Sequence, residues 1–218
     1  MCKNLAEELM EKKIVTIMRG VTGEKALYAA DAIAKGGLQF LEVTFDPSGR
    51  ISQRETLETI AALSKEFGSI LHIGAGTVLA VDQVEAAHEA GAGYIISPDT
   101  DEKIIHRTKE CGMLSLPGAL TPTEIKRAHG AGADFVKLFP VGNLGADYIK
   151  AVKASLNHVK YLAVGGVNLE NLKEFEKAGA GGFGIGSNIL NKQMIEKNDF
   201  AGIAALAKQY AELVGERK

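Results

Sequence analysis

The chain has 218 residues, 46% of them hydrophobic and 24% charged, with a formal net charge of −2. Such a composition is ordinary for a soluble globular protein, offers no basic block for nucleic acid, and contains no apolar run long enough to span a membrane. The only cysteines are Cys2 and Cys111, with no CxxC or Cys/His cluster, which argues against a disulfide framework or structural zinc and fits a reducing cytoplasm.

The N-terminal "MCKNLAEELMEKK" sets Leu5, Leu9 and Met10 at helical spacing among charges and has no continuous apolar core of a secretory signal, so an N-terminal helix is expected. From there β-rich runs and helical stretches alternate. Strands are expected over 14–18, 40–45, 70–73, 94–96, 113–116, 135–139, 161–164 and 183–185. Helices are expected over 24–35, 54–67, 81–90, 102–110, 122–128, 146–156, 169–178 and 200–214. Several strand runs are continuously apolar, as befits strands covered on both faces. A weak repeat runs through "AHEAGAGYIISP" (87–98), "AHGAGADFVKLFP" (128–140) and "FEKAGAGGFGIGS" (175–187): each ends a helix, turns on Ala-Gly-Ala and enters a strand. Repeated helix–turn–strand units without a linker predict one domain, 1–218, an α/β single (β/α)8 TIM barrel with an extra N-terminal helix. The alternative is an open doubly wound sheet; against it, "GAGTV" (74–78) does not complete a dinucleotide fingerprint and no Walker motif occurs.

In such a barrel chemistry sits at the C-terminal ends of the strands. Those ends carry Arg19-Gly20, Glu42, Gly74-Ala75-Gly76-Thr77, Ser97-Pro98, Pro117-Gly118, Lys137 with Phe139-Pro140, Gly165-Gly166 and Gly186-Ser187. The loops "AVGGV" (163–167) and "GIGSN" (184–188) follow the last two strands, where exposed backbone N–H groups and a following helix N-terminus would hold a phosphate. The plainer reading is that these glycines only make tight turns.

Glu42 and Lys137 are the charged residues set inside apolar strand cores. They could be a mutual ion pair. They could also be a Schiff-base lysine, kept unprotonated by an apolar setting, and a carboxylate that moves protons. His72 is a weak metal candidate with no second ligand at an inward position. His88, His106, His129 and His158 read as solvated, and Ser97 and Ser187 lack the G-x-S-x-G elbow.

"FLEVTF", "GAGTVL", "ISP", "LPGALTPTE", "VKLFP", "GGVNLENL" and "GIGSNI", in this order, resemble the class I pyruvate aldolases of the 2-keto-3-deoxy-6-phosphogluconate / 4-hydroxy-2-oxoglutarate aldolase family. The resemblance covers roughly residues 14–190. It implies a small barrel, a homotrimer, no metal or other cofactor, and cleavage of a phosphorylated 2-keto-3-deoxy sugar acid to pyruvate and glyceraldehyde 3-phosphate. It implies Lys137 as the Schiff-base lysine and Glu42 as the general acid/base. Thr77 would hold the pyruvate carboxylate, Phe139 and Pro98 would wall the site, and Gly165, Gly166, Gly186 and Ser187 would bind the phosphate. Many members carry E-x-T-x-R after the second strand; here that arginine is Asp46. Arg19 in "IMRG" is the expected replacement, as in the branch acting on 2-keto-3-deoxy-6-phosphogalactonate, with Arg50 as a second candidate. Two rival readings are a sugar-phosphate isomerase or epimerase on the same barrel and a non-catalytic sugar-phosphate-binding barrel.

Overall fold

Short β-branched and apolar runs form the strands, and amphipathic segments between them form the helices that cover the strands from outside. A computed structural model describes residues 5–215, so Cys2 lies outside the described residues. The strands are β1 (Ile14–Met18), β2 (Phe40–Thr44), β3 (His72–Gly76), β4 (Tyr94–Ile96), β5 (Leu114–Leu116), β6 (Gly118–Ala119), β7 (Val136–Leu138), β8 (Tyr161–Val164) and β9 (Gly182–Ile185). The helices are α1 (Leu5–Lys12), α2 (Gly23–Lys35), α3 (Gln53–Phe67), α4 (Val81–Glu89), α5 (Glu102–Glu110), α6 (Pro122–Gly130), α7 (Gly145–Ser155), α8 (Leu172–Ala178), α9 (Lys192–Glu196) and α10 (Phe200–Gly215).

The nine strands form one parallel sheet in the order β5-β4-β3-β2-β1-β9-β8-β7-β6. The first and last members of that order are neighbours in the chain, separated only by Pro117, so the sheet curls into a nearly closed barrel. Proline has no N–H for a ladder. Its carbonyl still serves, accepting from the Lys137 N–H at 2.9 Å, while Gly118 N–H turns to Asp99 O on the other side at 3.1 Å. The alternative of an open doubly wound sheet is not what forms.

Two apolar layers result. Residues of one parity point into the barrel: Val15, Phe40, Tyr94, Ile96, Leu116, Phe135, Leu162 and Val164 make its inner core. Helix α1 closes the floor, with Leu9 fully buried in that cluster and Leu5, Ala6 and Met10 packed on it. Glu8 of α1 meets His72 Nε2 at 2.5 Å at the lower end of β3, which gives His72 a structural partner. Residues of the other parity, such as Ile14, Leu41, Ile73 and Phe183, pack under the helices.

The Ala-Gly-Ala repeat has a definite geometry. Gly91, Gly132 and Gly179 take φ of 95°, 101° and 111°. The next residue donates back to the carbonyl five before it: Ala92 to Ala87 at 2.9 Å, Ala133 to Ala128 at 3.1 Å and Ala180 to Phe175 at 3.1 Å. This is the left-handed helix stop expected from the sequence, and it delivers the chain straight into β4, β7 and β9.

The elements β3, β6 and α9 differ from the expectation. β3 lies later than 70–73, because Ile70 is in the preceding turn, half exposed, and Gly74 and Gly76 pair with Glu42 and Thr44 of β2 despite the low strand preference of glycine. The short α9 was not expected. Among the described residues no helix is long and apolar enough to cross a membrane.

Candidate active site

Lys137 stands mid-strand in β7 with its side chain turned into the barrel, only 6% exposed. Glu42 stands mid-strand in β2, 1% exposed. Burial pulls the Lys137 ammonium below the ordinary lysine value; the Glu42 carboxylate opposes that and the Arg19 guanidinium adds to it. Burial pushes Glu42 above the ordinary carboxylate value, with Lys137 and then Arg19 opposing. The two groups feel one another, yet among the described residues no ion pair within 4 Å joins them. The amine lies 4.8 Å from the centre of the Phe139 ring instead, an apolar wall that also attracts a cation when one forms.

Room for these side chains comes from glycine. A Cβ on Gly76 would overlap Oε1 of Glu42, and a Cβ on Gly74 would overlap the Tyr94 ring. Gly76→Ala is therefore expected to push the Glu42 carboxylate off its place, which a crystal structure of the variant would show; an unmoved carboxylate would refute the contact.

Above Lys137 opens a cleft of about 680 Å³ at the C-terminal ends of the strands. Its lining includes Arg19, Thr77, Pro98, Lys137, Phe139, Gly165, Gly166, Gly186 and Ser187. Glu42 does not line it; the carboxylate sits deeper, beside Gly76. Arg19 places both terminal nitrogens 3.5 Å from Thr77 Oγ1, so the cation and the hydroxyl act as one corner of the cleft. Thr77 holds φ of 55°, left-handed for a β-branched residue, a strained conformation of the sort found where a side chain must be aimed.

At the opposite end Gly165 and Gly166 take φ of 87° and 81°. Gly142 N–H donates to Gly165 O at 2.7 Å, and the approach is so close that a Cβ on Gly166 would meet the Gly142 Cα at 2.9 Å. Among the described residues the N–H groups of Gly166 and Ser187 donate to no protein acceptor, which leaves them to the cleft. Turns that leave backbone N–H groups free at the rim of a cleft can seat an anion. The dipole expected from following helices is not arranged as the sequence suggested: Ser187 and Asn188 enter a turn whose Ile189 and Leu190 N–H groups return to Gly186 O at 2.9 Å, and α8 starts only at Leu172.

Asn188, Val164 and Lys192 also line the cleft and were not singled out from the sequence. Asn188 was legible as the next polar residue after "GIGS"; Lys192 opens a helix too short to recognise by periodicity. Arg50 does not reach the cleft. It is exposed on the β2–α3 loop, 3.0 Å from Ser48 Oγ. Asp46 organises that loop, accepting from Ser48 N–H at 2.9 Å, Ser48 Oγ at 2.6 Å and Ile51 N–H at 3.3 Å, and the Ser48 hydrogen bonds hold its carboxyl below the usual range. The position of the missing arginine is thus a loop anchor, and Arg19 is the guanidinium that lines the cleft.

Sequence and structure comparisons bear on the family and the fold. Residues 5–206 match the family model described as "Aldolase: KDPG and KHG aldolase". The chain is 34% identical over 202 residues to the 2-dehydro-3-deoxy-6-phosphogalactonate aldolase of Escherichia coli K12, covering 92% of this chain and 96% of the relative. It is 32% identical over 213 residues to the 2-dehydro-3-deoxy-phosphogluconate aldolase of Treponema pallidum, covering 96% and 97%. A solved structure described as "Native KDPGal structure" superposes with a TM-score of 0.81 at 35% identity, covering 93% of this chain and 96% of that one. The chain belongs to the KDPG and KHG aldolase family.

Proposed function

We propose that the protein is a class I aldolase, a lyase that cleaves a 2-keto-3-deoxy-6-phospho sugar acid to pyruvate and glyceraldehyde 3-phosphate through a Schiff base on Lys137. The observation that carries the reading is one amine, 6% exposed and held below its ordinary proton affinity, at the base of a cleft with a guanidinium at one end and free backbone N–H groups at the other. Relatives named for the phosphogalactonate and the phosphogluconate acids match at 34% and 32% identity, so either stereoisomer fits the reading. 4-Hydroxy-2-oxoglutarate, yielding pyruvate and glyoxylate, is a further candidate substrate. Relatives named as aldolases do not favour the isomerase, epimerase or binding-only readings.

The amine of Lys137 adds to the substrate C2 ketone, and loss of water gives an iminium. Glu42 takes the proton of the C4 hydroxyl, the C3–C4 bond breaks, and its electrons enter the iminium to give an enamine. The aldehyde leaves; Glu42, set below the cleft lining, returns a proton to C3, and water releases pyruvate and the free amine, both Glu42 transfers running directly or through a water molecule. Arg19 and Thr77 hold the carboxylate, Phe139 and Pro98 wall the reacting carbons, and Gly165, Gly166, Gly186 and Ser187 seat the phosphate, whose binding fixes the scissile bond in place.

The strand count belongs to the same reading: β5 and β6, interrupted only by Pro117, act as one bent strand, which makes eight β/α units with α1 as an added helix. We read residues 1–218 as a single domain, acting in the cytoplasm as a homotrimer.

Pyruvate with sodium borohydride tests the chemistry directly. A reduced pyruvate adduct mapped to Lys137 is expected, and its absence from the folded protein at excess pyruvate would refute the mechanism. Arg19→Leu is expected to raise KM for the keto acid by about tenfold to a hundredfold, the loss of one charged hydrogen-bond partner, with a smaller change in kcat. Equal KM in the variant would remove Arg19 from the carboxylate seat.

A further inference from the structure

The hydroxyl of Tyr94 has no role in the mechanism above and no hydrogen-bond partner among the described residues. It is a large polar side chain only 1% exposed, in the middle of the inner core. An unsatisfied hydroxyl in that setting calls for an explanation.

Strand register supplies one. Glu42 of β2 pairs with Gly74 of β3, and Gly74 pairs with Tyr94 of β4, so the three stand in one row and point into the barrel. Gly74 has no side chain, and the Tyr94 ring fills the space where its Cβ would be. The Glu42 carboxylate lies over the next inward glycine, Gly76, one step nearer the mouth. The ring therefore forms the floor beneath the carboxyl. The other groups that face this region are known: Lys137 from β7 and Arg19 from β1 act on Glu42, while below the ring Phe40 lies 5.9 Å from Tyr94 and separates it from the His72–Glu8 pair. Of the charged groups, the Glu42 carboxylate is the one whose field reaches the Tyr94 hydroxyl.

We propose that Tyr94 is a positioning residue for Glu42: its hydroxyl holds one water molecule against the underside of the carboxyl, orienting the carboxyl toward the cleft and stabilising its ionised form. A water so placed has the hydroxyl and the carboxyl as partners, which satisfies both without pulling Glu42 away from the substrate. Burial raises the proton affinity of Glu42, and a donor from below limits how far it rises. The inference rests on the proton-transfer role proposed for Glu42.

Tyr94→Phe keeps the ring and removes only the oxygen, and the full chain is used throughout. The readout is exchange of pyruvate methyl hydrogens for deuterium in D2O, followed by NMR as a function of pH, which isolates the proton transfer from the choice of sugar acid. Removing a donor from a carboxylate raises its proton affinity, so the acid limb of the exchange rate is expected to move up by about one pH unit, with the plateau lowered less than about tenfold. In the Glu42→Gln background the same change should leave the residual rate unaltered. Borohydride trapping on Lys137 should be equal in wild type and Tyr94→Phe. An unmoved acid limb, with trapping intact, overturns the role of Tyr94 and leaves the aldolase reading standing; no trapping in wild type overturns the aldolase reading itself. A rise in Tm with an unmoved limb would identify the hydroxyl as a simple unsatisfied group.

Discussion

Lys137→Met is expected to lower the rate of pyruvate release by at least about four orders of magnitude and to abolish the borohydride adduct, because among the described residues no other amine stands at the foot of the cleft. The lining contains one further lysine, Lys192, whose side chain is 90% exposed and pairs with Glu196 at 3.7 Å, away from the buried foot of the cleft. Methionine matches the lysine stem in volume without the charge. The thermal midpoint should therefore stay at or above that of the wild type, since desolvating an ammonium is a cost the variant no longer carries. Loss of activity together with loss of folding would point to a structural lysine; a persistent adduct would place the chemistry elsewhere. The pairing of lost activity with kept or increased stability is what separates a nucleophile from an ion-pair member.

Glu42→Gln should lower kcat by about 10²–10⁴-fold while leaving the iminium trappable, the range that general acid–base groups contribute. The pH profile carries the sign. Burial raises Glu42 above the ordinary carboxylate value, so the base form fills at higher pH than on a surface glutamate. Activity that needs the base form falls as pH falls through that raised value. Lys137 is shifted the opposite way, so its neutral form becomes available at lower pH than for a surface lysine. The two shifts narrow the gap between base and nucleophile. In Glu42→Gln the carboxylate limb should vanish, and only the amine limb remain; an unchanged profile would remove Glu42 from the proton path.

Much of this fold was legible in the sequence, and what was not has physical reasons. Continuous apolar runs placed β1, β4 and β8 to the residue, because those strands are buried on both faces and tolerate little else. Glycine-rich β3 was placed too early: its strand conformation is imposed by pairing with β2, not by its own preference. β6 has two residues and α9 has five, too few for any period to register. The strand ends named the cleft residues, since a barrel puts its loops where the strands stop. The place of Tyr94 under Glu42 was not legible. It depends on the register of three strands and on two glycines whose only contribution is space.

The α1 helix has a consequence for how protons travel. By seating Leu9 in the base of the inner core it closes the barrel's lower end with apolar side chains, so the cleft at the C-terminal strand ends is where substrate and bulk water meet Lys137. A bound sugar acid stoppers that cleft with its own carbon chain. In the mechanism proposed above the aldehyde departs before C3 is protonated, so the mouth reopens while Glu42 still holds the proton, and that proton can exchange with solvent before it reaches the enamine.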